Sequence, residues 1–283
     1  MLKRLLTTAV ILPILAVVLF LGGRWLLAVS LVLALIGMYE FCTAISKKTL
    51  PIHFVGYFFA ILYFALLLLD NFHENLFLFL MIFILATQFC WVIFFKKTTL
   101  TDFLATLAGF LYVPFLLSFV YLVRREVDCC WGVGHIDHNP VVEVGFHFVW
   151  MIFISASGSD IFAYLVGRGL GRYKLEGTPS PGKTLEGCIG GILGAALIGC
   201  LYGLFLYSRM WYFDFFTPVI FAFMAGIGAI ASQMGDLFAS AVKRSVGIKD
   251  FGNLLPGHGG VLDRFDSIIV AAPLIYMMMW RCC

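Results

Sequence analysis

The chain has 283 residues, 62% of them hydrophobic and only 12% charged, with a net charge of +3. A soluble domain carries about 25% charged residues, so this composition excludes an ordinary water-exposed surface. The apolar runs are continuous and do not alternate, which excludes a β-barrel; at about 20 residues per crossing they predict an all-α, polytopic integral membrane protein with about nine transmembrane helices.

In chain order the spans read as Leu5–Leu21, Trp25–Cys42, Phe54–Leu69, Leu76–Phe95, Phe103–Val123, Phe146–Val166, Cys188–Tyr207, Pro218–Gln233 and Ser267–Trp280. Lys3 and Arg4 precede the first run as they would a signal peptide, but no small-x-small cleavage site follows, so it is taken as a span. Basic residues gather in alternate connections. Lys3 and Arg4, Lys47 and Lys48, Lys96 and Lys97, Arg168 to Lys183, and Lys243 to Lys249 therefore share one side. The other side holds Arg24, Asp70, Glu74, Arg209, Asp214 and a loop in which Arg124 and Arg125 face Glu126, Asp128, Asp137 and Glu143. The positive-inside rule predicts a cytoplasmic N-terminus and cytoplasmic polar loops forming the site.

No internal repeat stands out, but polarity divides the chain. Spans before Gly145 are nearly free of ionisable groups, so residues 1–145 are expected to be transmembrane scaffold and 146–283 the catalytic half. Of the eight cysteines, Cys129 and Cys130 with His135 and His138 suggest zinc. Adjacent cysteines lack the usual ligand spacing, and a disulfide pairing stays open.

Within the sixth span, Gly158-Ser159-Asp160 puts a carboxylate on one helix face with Tyr164 and Gly167. Such a group needs a partner, a metal or water. Gly177 to Thr184 matches the phosphate-loop pattern G-x-x-x-x-G-K-T. A true phosphate loop is rejected, because no strand precedes it and Pro179 and Pro181 lack the N–H groups such a loop aims at phosphate. Ser180, Lys183 and Thr184 are still expected to contact phosphate. The seventh span opens with Gly187, Gly190, Gly191, Gly194, Ala195 and Gly199, a small-residue face expected to pack helices within one subunit.

Residues 236–267 concentrate the charge: Asp236, Lys243, Arg244, Lys249, Asp250, Asp263, Arg264 and Asp266, with His258. Apolar spans flank the block, and charge at a membrane boundary marks a functional site by default. On a helix, Asp236, Ser240 and Lys243 form one stripe, and Asp263 and Asp266 share a face. Pro256-Gly257-His258-Gly259-Gly260 is a turn whose glycines allow close ligand approach. Carboxylates interleaved with cations suit a hard divalent metal with phosphate, and Lys243, Arg244, Lys249 and Arg264 would hold phosphate oxygens.

The pattern Ser240-x-x-Lys243-Arg244, then Lys249-Asp250-x-Gly252, then Pro256-Gly257-His258-Gly259-Gly260-x-x-Asp263-Arg264-x-Asp266 resembles the signature of the phosphatidate cytidylyltransferase (CDP-diacylglycerol synthase) family. Asp160-x-x-Ala163-Tyr164-x-x-Gly167 and Ser180-Pro181-Gly182-Lys183-Thr184-x-Glu186-Gly187 resemble it too, with Leu185 where many members have Trp. The resemblance implies that CTP and phosphatidic acid give CDP-diacylglycerol and pyrophosphate. It implies Mg²⁺ at Asp236, Asp263 and Asp266, and leaves a second, monovalent cation open. Lys243, Arg244, Asp263 and Asp266 are the expected catalytic residues. Ser180, Lys183, Thr184, Ser240, Lys249, Asp250, His258, Gly259, Gly260 and Arg264 are the expected substrate contacts. The expected partners are CTP, phosphatidic acid, membrane lipids and a second copy in a homodimer, with no nucleic acid. The expected location is the cell inner (plasma) membrane, multi-pass, with the active site facing the cytoplasm. A CTP-dependent lipid kinase and an ion or organophosphate transporter are the alternatives.

Overall fold

A computed structural model describes residues 13–49, 51–69, 81–87, 89, 93, 99–125, 144–175, 177–209, 213–255, 257 and 259–281. The cysteine and histidine group at 129–138, His258 and most of the predicted fourth span lie outside the described residues.

The named helices are α1 (Gly23–Ile45), α2 (His53–Leu67), α3 (Leu100–Phe110), α4 (Leu116–Arg125), α5 (Val144–Leu170), α6 (Leu185–Arg209), α7 (Thr217–Ser245) and α8 (Leu262–Arg281). Among the described residues the only β pairing is two isolated bridges, Lys174 with Thr184 and Leu255 with Gly259, so the fold is helical as expected. A π-helical turn, Leu111–Phe115, joins α3 to α4 and contains Pro114. Proline lacks the N–H for a regular helical bond, and the wider turn carries the helix past it. Among the described residues five segments are long and apolar enough to cross a membrane: Gly23–Ile45, Leu100–Arg125, Gly145–Leu170, Leu185–Arg209 and Thr217–Ser245. The 15-residue α2 is shorter than a full crossing requires.

The chain packs as two compact units: Met1–Ser118 with Ser245–Arg264, and Phe119–Arg244 with Phe265–Cys283. In the first unit, α3 begins with a capping box. The Thr99 N–H donates to the Asp102 carboxylate at 2.8 Å, and the Thr99 hydroxyl accepts from the Asp102 N–H. Thr106 on α3 accepts from the Ile52 N–H at 2.8 Å, which fixes the start of α2. Tyr63 and Ser118 share a buried hydrogen bond of 2.8 Å.

In the second unit, α5 and α6 pair extensively. The reason is the glycine face of α6. A Cβ at Gly187 would lie 2.8 Å from the Ala163 carbonyl, and one at Gly191 would lie 2.8 Å from the Ser159 carbonyl. Only hydrogen fits there, so the backbones touch. Farther along, Gly199 and Gly203 face Phe221 and Pro218 of α7 in the same way. The small-residue stripe is thus used inside one chain, as its sequence predicts. The opposite face of α6 carries Leu193, Leu197 and Leu201, all exposed. An apolar face of this kind suits hydrocarbon rather than water.

Candidate active site

In the second unit, α5 leads into a hairpin-like loop that returns into α6. The Leu175 N–H donates to the Lys183 carbonyl at 2.9 Å, and the Leu185 N–H donates to the Tyr173 carbonyl at 2.9 Å. Glu186 accepts from the Tyr173 N–H at 3.1 and 3.2 Å. These bonds hold residues 177–182 as a short tip, where the Lys183 N–H reaches the Ser180 carbonyl at 3.2 Å. A helix, not a strand, feeds this loop, which agrees with rejecting a true phosphate loop.

Two of the predicted phosphate contacts differ in what they touch. Thr184 caps α6: its hydroxyl accepts from the Gly187 N–H at 3.1 Å, satisfying a donor that the helix itself leaves over. Lys183 instead forms an ion pair with Asp236 of α7. Both side chains are about a third exposed, at 27% and 31%. Beside them is a cavity of about 370 Å³ lined by Asp160, Tyr164, Arg168, Lys183, Thr184 and Gln233, among others. Asp160, Tyr164 and Gly167 share it, as their helical spacing predicts. Arg168 donates to the Tyr164 hydroxyl at 2.9 Å. Gln233 donates to Ser159 at 2.9 Å and to the Cys188 carbonyl at 3.0 Å, tying α7 to α5 and α6.

Helix α7 runs past the predicted end at Gln233 to Ser245. Asp236, Ser240 and Lys243 therefore lie on one helix, the last two half-buried, and Arg244 is exposed beside them. Asp266 on α8 is buried, and its carboxylate accepts from the Ser267 N–H at 2.8 Å. Gly235 packs on the Asp266 carbonyl, where a Cβ would come within 2.6 Å.

In the first unit, the loop Ser245–Arg264 is folded around two carboxylates. Asp263, in the first turn of α8, accepts from the Phe251 N–H at 2.8 Å and from the Gly260 N–H at 3.0 Å. Leu255 and Gly259 close a turn through a bond of 2.9 Å, and Gly259 has φ +83°, which favours glycine. Asp250 lies against Gly259. Lys249, Asp250 and Arg264 are exposed. The second carboxylate is Glu40 of α1, which sequence reasoning missed. It accepts from the Val261 N–H at 3.0 Å and from the Leu262 N–H at 2.8 Å. A lone glutamate inside an otherwise apolar run was the available signal.

The structure thus joins Lys183 with Asp236 in one unit, and Asp250, Gly259, Gly260 and Asp263 in the other. Among the described residues no three His, Cys, Asp or Glu side chains are grouped so as to hold a metal ion.

Comparisons with known proteins bear on the chain as a whole. The sequence model of the cytidylyltransferase family matches residues 2–282. A protein named phosphatidate cytidylyltransferase from Staphylococcus epidermidis is 36% identical over 150 residues, covering 52% of this chain and 55% of that protein. One of the same name from Rickettsia bellii is 35% identical over 175 residues, covering 61% of this chain and 68% of that protein. One from Bacillus subtilis is 33% identical over 163 residues, covering 58% of each. The chain spans little more than half the length of the first of these relatives. With a match across nearly its whole length, the chain belongs to the cytidylyltransferase family.

Proposed function

We propose that the chain is a phosphatidate cytidylyltransferase, converting CTP and phosphatidic acid to CDP-diacylglycerol and pyrophosphate. The observation that carries this reading is the meeting of Lys183 with Asp236. Lys183 lies in the 177–184 loop and Asp236 in the charge-rich 236–267 block, and the fold pairs the cation of the first with a carboxylate of the second. The family match and the names of the relatives support the same substrates.

The chemistry requires little covalent help from the protein. The second pKa of a phosphate monoester is about 6, so the lipid phosphate is mostly a dianion at neutral pH. One of its oxygens bonds to the α-phosphorus of CTP. The bond from that phosphorus to the bridging oxygen of the β-phosphate breaks, and pyrophosphate leaves with the electron pair. The requirement is to align two polyanions and neutralise their charge. Lys183, Lys243, Arg244, Lys249 and Arg264 serve as phosphate-binding cations, with Ser180 and Ser240 as hydroxyl donors.

The donor chemistry fits Mg²⁺. Asp236, Asp263 and Asp266 offer only hard carboxylate oxygens, and Mg²⁺ typically takes one or two protein carboxylates together with substrate phosphates and water. A cluster of three protein ligands is therefore not required. When bound, the ion supplies positive charge to the phosphate oxygens. In the Lys183–Asp236 pair each partner stands in for what the other would hold: the Asp236 carboxylate takes the place of a phosphate beside Lys183, and the Lys183 ammonium that of a cation beside Asp236.

On this reading the site faces the cytoplasm of the inner (plasma) membrane, as the basic loops suggest, and the chain works as a homodimer with about nine spans per copy, five of which correspond to long apolar helices among the described residues. The test uses purified full-length protein in detergent. CTP, phosphatidic acid and Mg²⁺ together should release pyrophosphate and form CDP-diacylglycerol, and omitting any one should stop both. No lipid-linked cytidine nucleotide under these conditions would contradict the reading.

A further inference from the structure

Glu40 sits in the apolar α1, 5% exposed, far in sequence from every predicted site residue. Its two oxygens take the N–H groups of Val261 and Leu262. These begin α8, where backbone donors have no partner within the helix and negative charge is favoured. The neighbouring backbone is shaped to the same carboxylate. A Cβ at either Gly252 or Gly260 would collide with Glu40. Gly260 also donates its N–H to Asp263. One carboxylate thus grips the turn from the α1 side, and the turn grips Asp263. Phe41, the next residue of α1, adds a ring contact to Phe251 at 6.3 Å, and the Phe251 N–H is the other donor to Asp263.

We infer that Glu40 is a positioning residue for the reaction: it holds the backbone at Gly252 and at Gly260–Leu262 in the form that aims Asp263. This rests on the reading of the reaction given above. It assigns to a helix of the predicted scaffold a part in the site that neither signature contains.

The experiment compares wild type with Glu40→Gln as full-length protein in detergent. Amide hydrogen exchange across residues 249–263 is followed alongside kcat and KM for both substrates. Glutamine keeps the size but sets an NH₂ against a backbone donor. Exchange at Val261 and Leu262 should rise at least tenfold in Glu40→Gln while peptides of α2 and α6 stay unchanged. kcat should fall at least tenfold, with KM for phosphatidic acid within twofold of wild type. Gly252→Ala, whose methyl would meet the Glu40 carboxylate, should also slow turnover. Adding it to Glu40→Ala should cost nothing further, because the group it collides with has gone; contacting residues show such non-additivity. Unchanged exchange in Glu40→Gln overturns the proposal, as does a uniform rise throughout the chain or an additive double variant. If wild type makes no CDP-diacylglycerol, the reaction assigned above fails separately, and the exchange pattern still decides whether Glu40 holds the turn.

Discussion

Asp263 and Lys183 show how single side chains separate stability from chemistry. Asp263 accepts from two backbone N–H groups. Asparagine keeps a carbonyl oxygen that can do the same, so Asp263→Asn should leave the fold intact while removing the charge. Loss of one preorganised electrostatic group typically costs about 2.7–4 kcal/mol in the transition state. CDP-diacylglycerol formation should therefore fall at least about 100-fold while expression and melting temperature persist; retained activity would remove Asp263 from the mechanism. Lys183 pairs with Asp236 in a setting open to solvent, where such pairs contribute about 0–1 kcal/mol. Lys183→Ala should thus barely change thermal stability, yet raise KM for CTP or lower kcat at least about tenfold. Lys183 and Asp236 were legible in the sequence because both sit in dense polar motifs. Glu40 was not, because its partners are backbone N–H groups, which every residue has and no motif records.

The helices were legible where apolar content marks them and blurred where polarity begins. Pro218–Gln233 was taken as a span because the apolar run stops there, but α7 continues to Ser245. Helix formation follows backbone hydrogen bonding, which Asp236, Ser240 and Lys243 do not interrupt. For the same reason α8 starts at Leu262 and not at Ser267. The glycine face of α6 gives an element-scale prediction. In Gly191→Leu a side chain would enter where Ser159 and Gln233 already lie within 3 Å of a Cβ, and overpacking of this kind typically costs about 1–3 kcal/mol. The melting temperature should drop measurably in detergent. Leu193→Ala, on the exposed face, should shift stability by no more than about 0.5 kcal/mol. Equal effects from the two would argue that the glycine face is not the packing face.

At the scale of the whole molecule, composition fixed the class and basic loops suggested the orientation, but neither revealed how the units are assembled. The loop 245–264 packs with the N-terminal helices, a long-range arrangement that hydropathy cannot register. If the orientation is right, single cysteines placed in a chain freed of its eight native ones should label asymmetrically in intact cells. Lys249→Cys should react only after permeabilisation, and Asp214→Cys should react before it; the reverse pattern would invert the topology.

The central claim is nucleotidyl transfer onto a lipid phosphate, and the position of a label in CTP tests it most directly. With phosphatidic acid and Mg²⁺, label at the α-phosphate should appear in the lipid product, while label at the γ-phosphate should leave in pyrophosphate. Lipid labelled from the γ-position alone would mean a lipid kinase, and nucleotide left intact while substrate crosses a proteoliposome would mean a transporter. Either result would contradict the mechanism derived from Asp236, Asp263 and Lys183.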